Sequence, residues 1–125
     1  MILDDIDQLA SRFFQALERG DVAAVGECYA PDAMIWHNYD QLEQARDANL
    51  RVLRWVVDNV AGLRYEDIRR VVLDDGFVQQ HVLRGTAPNG APLEVPAMMR
   101  VMVADGRITR LEEYLDTAQV AALRG

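Results

Sequence analysis

Gly106-Arg107-Ile108-Thr109-Arg110-Leu111-Glu112-Glu113-Tyr114-Leu115-Asp116 follows Asp105, reads as a strand, and ends on a carboxylate just ahead of a helix-like tail, Thr117 to Leu123. Its opening Asp105-Gly106 repeats a signal found twice upstream, in Asp75-Gly76 and Asn89-Gly90. Each dipeptide accepts the left-handed backbone that a tight antiparallel turn needs. β-Branched and apolar runs lie between them, so the simplest arrangement is a meander of long strands closing on 112–116, with everything upstream left to cover one face. Asp116, at the end of that last strand, is the first candidate for chemistry.

Outward from the meander, 63–73 reads as another strand. Tyr65, Val71 and Leu73 share a parity that Ile68 breaks, which predicts a bulge. Bulges bend sheets, and a bent sheet can wrap a pocket. Near the start, Asp4 or Asp5 can cap a helix in which Ile6, Leu9, Ala10, Phe13, Phe14 and Leu17 recur at steps of three and four, ending at Gly20. Asp21 caps a shorter helix with Val22, Val25 and Cys28 inward, and Pro31 stops that pattern. Residues 33–36 form a short strand running into the polar cluster His37-Asn38-Tyr39-Asp40. A third helix over about 42–60 carries the stripe Ala45, Val52, Leu53, Val56, Val57 and Val60, closed by Gly62.

Three helices ahead of an antiparallel meander predict an α+β domain. Helices laid across one face of a twisted, strongly curved antiparallel sheet leave a conical cavity. Val78, Val82, Val101 and Val103 cannot all point into one small cavity, so the other face predicts a homodimer packed sheet to sheet.

The 125 residues suit one domain over 1–125, large enough to bury roughly two-thirds of the unfolded surface. With 13 basic and 20 acidic residues the net charge is −7, which opposes adhesion to phosphate backbones and anionic lipid. Neither nucleic acid nor a membrane is therefore expected as a partner. Cys28 is the sole cysteine, so no internal disulfide or thiolate cluster can form. The first seven residues are acidic where a secretion signal would be basic, and no apolar run approaches membrane-spanning length, so a cytoplasmic location is expected. His37 and His81 are too few, and too isolated, for a metal motif; no Gly-rich phosphate cradle or nucleophile elbow occurs. Chemistry without a metal or cofactor is the expectation that remains.

Three segments, Leu17-Glu18-Arg19-Gly20-Asp21, Tyr29-Ala30-Pro31-Asp32-Ala33 and Glu113-Tyr114-Leu115-Asp116, together with the order of elements, resemble the NTF2-like superfamily. The likeness is greatest to its SnoaL-like branch of polyketide cyclases and small isomerases, and it extends over almost the whole chain. It implies a cone around an apolar pocket, usually in a dimer. The activities it implies range over ketosteroid isomerisation, scytalone dehydration, aldol-type cyclisation and limonene epoxide hydrolysis, beside members that only bind. Fold alone does not choose among these. Trp36 and Asn38 resemble the aromatic and asparagine of the epoxide hydrolase branch, and Tyr114-Leu115-Asp116 resembles its Tyr-Phe-Asp. Its middle-strand Arg-x-Asp has no counterpart in Gln79-Gln80-His81.

On the cavity wall Asp116 would have its pKa raised by apolar surroundings and would serve as a proton shuttle; followed by Thr117, it equally reads as a cap on the tail helix. His81 shares a face with Phe77, Gln79 and Leu83, and would pair with Asp116 as a base held by a carboxylate, or be a hydrogen-bonded structural histidine. Trp36 and Asn38 offer an aromatic wall and an amide donor, with His37 or Tyr39 in their place if the register differs. Alternatively, that cluster only turns the chain into the third helix. Arg100, if inward, needs Glu112, Glu113 or a substrate anion; outward, it is a solvated or dimer-interface charge. Met98, with Met99 and Met102, is an adaptable filler of pocket or core, and Tyr114 completes the candidate substrate-binding set. The expected ligand is a small, mostly apolar or carbonyl-containing molecule. The expected chemistry is proton transfer beside a carbonyl by Asp116 and His81, in an isomerase, dehydratase or cyclase. The alternative is a non-catalytic ligand-binding or interaction module of the same fold, with epoxide hydrolysis behind both.

Overall fold

Apolar residues at three- and four-residue steps form α1 (Ile2–Glu18), whose Ile6, Leu9, Ala10, Phe13, Phe14 and Leu17 are all buried. The computed structural model describes residues 2–123. Asp4 and Asp5 lie in the first turn of α1 rather than capping it, where carboxylates still favour the positive end of the helix. Gly20, at φ 75°, ends the run. Asp21 then caps α2 (Val22–Cys28), its Oδ1 accepting the Ala24 N–H at 3.0 Å. Pro31 is not the stop: α2 ends at Cys28, and Pro31 lies exposed in β1 (Tyr29–His37). α3 (Arg46–Asn59) starts later than its apolar stripe suggests, because β2 (Glu43–Ala45) first folds back on β1.

The meander is β3 (Ala61–Leu73), β4 (Gly76–Thr86), β5 (Pro92–Ala104) and β6 (Arg107–Leu115). Asp105 and Gly106 both take positive φ, as the tight turn into β6 requires. β1 adds to the free edge of β6, giving the order β2-β1-β6-β5-β4-β3. It runs parallel to β6, so the sheet is mixed rather than wholly antiparallel. Only hairpin neighbours are bound to be antiparallel; β1 reaches β6 through α3 and the whole meander. The architecture is nonetheless the expected α+β one, helices on one face of a curved sheet. Among the described residues, no helix is long and apolar enough to cross a membrane.

Of the four register shifts among the described residues of the sheet, two bear on the site. One lies between Glu66 and Arg69, around Asp67 at φ 55°, beside Ile68 where the alternation breaks. The other faces Met102 and Val103 and changes the parity of β6, so that Ile108 and then Leu111 are buried. Leu111, Glu113 and Leu115 consequently point toward the helices.

Two apolar clusters hold the layers together. α1 and α2 pack on Tyr29, Ile35, Phe77, Met99, Val101, Ile108 and Leu111. Val56 and Val57, with the C-terminal 3₁₀ helix Thr117–Leu123, cover Val60, Leu63, Leu93 and Val95 at the other end. A hollow remains between them.

Gly76 is where backbone approach is closest: a Cβ there would run into the Val101 carbonyl oxygen. Gly90, by contrast, has open space around it. Gly76→Ala is therefore expected to cost about 2–4 kcal/mol and Gly90→Ala about 1 kcal/mol or less in urea denaturation. Equal losses would contradict the close packing of β4 on β5.

Candidate functional site

The hollow between α3 and the sheet has a volume of about 400 Å³, within the range of small-molecule pockets. Its wall is mostly apolar, with Phe13, Leu17, Ile35, Leu53, Val95, Met99 and Leu111 contributing from five elements. Polar groups collect on one side. The parallel register pairs His37 with Glu113, and both side chains face inward because Ile35 and Leu111 do. His37 Nε2 lies 3.1 Å from Glu113 Oε1, with side-chain exposures of only 17% and 16%. The Tyr39 ring packs 5.1 Å from the imidazole at an angle of 31°. An imidazole and a carboxylate at this separation can share and pass a proton.

Next to this pair, Tyr29 Oη donates to Asn49 Oδ1 at 2.8 Å, and Asn49 Nδ2 donates to Gln44 Oε1 at 2.9 Å. All three line the cavity, so their polar atoms satisfy one another at its wall. Burial, and then the charge of Glu113, push the phenols of Tyr29 and Tyr65 up, so both stay protonated at any physiological pH. Asp40 and Glu43 stand among the lining residues contributed by the β1–β2 connection and β2. Arg110 holds Glu43 in a two-pronged ion pair at 2.7 and 3.0 Å.

His81 is buried behind this wall rather than lining it. Its ring packs edge-on against Phe14 at 5.5 Å and Tyr65 at 4.9 Å. Gln79 Oε1 accepts from Arg70 Nε at 2.8 Å, which turns the amide nitrogen toward His81 Nδ1, also at 2.8 Å. Nδ1 is therefore an acceptor, and the proton of the neutral ring resides on Nε2, which is buried with no hydrogen-bond partner. Burial holds the His81 pKa below its ordinary value, against the pull of Glu113 and with a further push from Arg70.

Asp116 takes the other course open to it. It is exposed, its Oδ1 accepts the Ala118 N–H at 2.9 Å, and its carbonyl accepts from Gln119 at 3.0 Å, so it opens the C-terminal 3₁₀ helix. Among the described residues no hydrogen bond joins it to His81. One residue beyond Leu115, it falls outside the inward parity that the β6 shift sets. Trp36, Met98 and Tyr114 lie on the outer sheet face, with the Trp36 and Tyr114 rings 5.4 Å apart. Asn38 spends its side chain on the Leu115 N–H at 3.0 Å and its own N–H on the Glu113 carbonyl at 3.1 Å, fastening β1 to β6. Arg100 reaches Asp75 at 3.0 Å and the Val101 carbonyl at 2.8 Å. Of the seven expected substrate-binding residues, His37 and Tyr39 line the cavity.

The sequence reading missed Glu113, Tyr29, Asn49 and Tyr65 as a group. A signal existed for Asn49, a polar residue on the apolar stripe of α3 between Ala45 and Leu53. Another existed for Glu113, which shares its parity with Leu111 and Leu115. Among the described residues, no three His, Cys, Asp or Glu side chains come together as a metal-ligand set.

Comparison with known proteins agrees with this architecture. The SnoaL-like domain family matches residues 10–111, and the chain belongs to it. An uncharacterised protein of Mycobacterium tuberculosis is 32% identical over 124 residues, covering 89% of each chain. Among solved structures, a candidate polyketide cyclase from Xanthomonas campestris superposes with a TM-score of 0.85 at 22% identity, covering all of both chains. A candidate isomerase from Bacillus subtilis gives 0.86 at 14% identity, covering 100% of this chain and 96% of its own. At these identities the structures share the NTF2-like fold, which is an α+β cone.

The depressed pKa of His81 sets a pH dependence. Folding favours the neutral ring, so its contribution is complete above the unfolded value of 6.5 and is lost as pH falls below it toward the lower folded value. The stability of the native protein relative to His81→Gln should therefore decline between pH 7.5 and about 5.5 in urea denaturation. A pH-independent difference would contradict a buried neutral imidazole.

Proposed function

We propose that this protein takes a small, mostly apolar carbonyl compound into the cavity and moves a proton beside the carbonyl, as in isomerisation, dehydration or cyclisation. His37 and Glu113 are the acid/base pair, in place of His81 and Asp116. The observation that carries this reading is the 3.1 Å His37–Glu113 contact on the wall of a largely apolar hollow. Glu113 would remove a proton next to the carbonyl, and His37 would hold it or return it at the new position. Tyr65, kept protonated, lines the cavity, where its phenol could meet a developing oxyanion. Neither a metal nor a cofactor has a part in such a shift. Epoxide hydrolysis has the least support, because β4 turns Phe77, Gln79 and His81 inward and brings no carboxylate to a waiting water.

The test uses a β,γ-unsaturated cyclic ketone, whose conversion to the conjugated enone is followed by ultraviolet absorbance. Glu113→Gln should lower kcat by about 10²–10⁴-fold, and His37→Gln by at least about tenfold, while Asp116→Asn stays within about threefold of native. Tight ketone binding without turnover would favour the non-catalytic module; loss of activity in Asp116→Asn alone would restore the other carboxylate.

The outer sheet face supports a second copy of the chain as partner. Met34, Ile68, Val71, Met98 and Tyr114 are exposed there on one surface, a patch suited to burial against its own symmetry mate. Sedimentation velocity should give a dimer that Met98→Glu converts to a monomer; a native monomer would remove the proposal.

A further inference from the structure

The charges on the cavity wall are one-sided. Among the described residues Asp40, Glu43 and Glu113 line it, and no arginine does. The 13 basic residues of the sequence are all arginine, so no lysine is at hand either. Arg110 is committed to Glu43 and Glu112, Arg70 to Asp7 and Gln79, and Arg100 to Asp75. Arg110 neutralises Glu43 at the mouth. Glu113 is left as the deeper carboxylate, with the His37 imidazole 3.1 Å away as its partner.

The neutral donors point to the same imbalance. The Tyr29 hydroxyl is spent on Asn49, and the Asn49 amide on Gln44. A ligand carboxylate or phosphate would meet no cation and few unspent donors, close to a fixed negative charge in a poorly solvated hollow. A protonated amine would meet Glu113 as a charge-assisted acceptor. The rings of Tyr29, Tyr39 and Tyr65 also line the hollow, and aromatic rings attract a cation placed over their faces. Burial first, and then the charge of Glu113, raise both Tyr29 and Tyr65, so that charge is felt at both phenols.

We infer that the cavity selects ligands by charge, taking a compact hydrocarbon body whose polar end is a protonated amine and rejecting carboxylates and phosphates of the same shape. This deepens the reading of the cavity as the ligand site, and it does not depend on turnover. An amine can dock against Glu113 directly, whereas an anion would have to displace Glu113 from His37 to reach the imidazole. Free acids, acyl phosphates and other anionic substrates are thereby excluded in favour of amino ketones and apolar amines.

Three ligands of one shape separate the possibilities: 1-naphthylmethylamine, 1-naphthalenemethanol and 1-naphthylacetate, titrated calorimetrically into the full chain at pH 7 and low salt. The amine should bind at least about tenfold tighter than the acid, with the alcohol between them. Glu113→Gln should erase most of that ratio, and Glu113→Asp, which keeps the charge, should preserve its sign. If Glu113→Gln fails to fold, the native ranking and Glu113→Asp still decide. Acid binding as tightly as amine, no binding of the amine, or an unchanged ratio in a folded Glu113→Gln would overturn the inference. Failure of ketone turnover with the amine preference intact would discard the catalytic reading alone; turnover with no charge preference would discard this one alone.

Discussion

The site depends on how β1 meets β6. These two strands lie far apart in sequence and run parallel, and their register sets His37 beside Glu113. The shift in β6 opposite Met102 and Val103 then decides which residues of that strand face the helices. Without it, the inward set would be Glu112, Tyr114 and Asp116, and the hollow would have a different wall. Asn38 secures the arrangement at its open end by bonding to the backbone of Glu113 and Leu115. A polar residue that looked like a substrate contact is thus a fastening between β1 and β6.

The hollow persists because two apolar clusters form at its ends and neither reaches across it. α1 and the sheet fill one end with aromatic rings, among them Phe13 and Tyr29 at 5.5 Å and Phe14 and Tyr65 at 4.9 Å. Residues at the end of α3 and the C-terminal 3₁₀ helix close the other. Polar groups inside a dry wall are costly unless paired, at about 1–3 kcal/mol for each orphan. Tyr29, Asn49 and Gln44 answer that cost by bonding to one another. The chain Arg70–Gln79–His81 answers it for all but one atom, the Nε2–H of the imidazole.

Much of the architecture was legible in the sequence because it rests on local signals. Helix periodicity, the Asp21 cap and the glycine-marked turns each act over a few residues, and the bulge near Ile68 showed as a break in alternation. Pro31 misled because an exposed residue of a strand at that point tolerates a missing N–H. The start of α3 misled because β2 competes for the same residues. Site placement was less legible, since it depends on strand register between distant segments. Asp116 carried two local readings, wall carboxylate and helix cap, and no short-range rule chooses between them. The β6 shift, visible only once Thr109 is set against its partners on β5, moved the inward carboxylate from 116 to 113. For β1, the sequence left open whether Trp36 and Asn38 or His37 and Tyr39 face the cavity; Ile35, buried against the helices, decides it.

The central claim is that ligand enters between α3 and the sheet and meets His37 and Glu113 there. Crystals soaked with a bromine-labelled aromatic ketone test it most directly, through the anomalous signal of the halogen. The account predicts a peak inside the hollow, with the ketone oxygen or its α-carbon within contact distance of the His37–Glu113 pair. A peak confined to the outer sheet face or to the surface around Asp116, with the hollow empty, would contradict it.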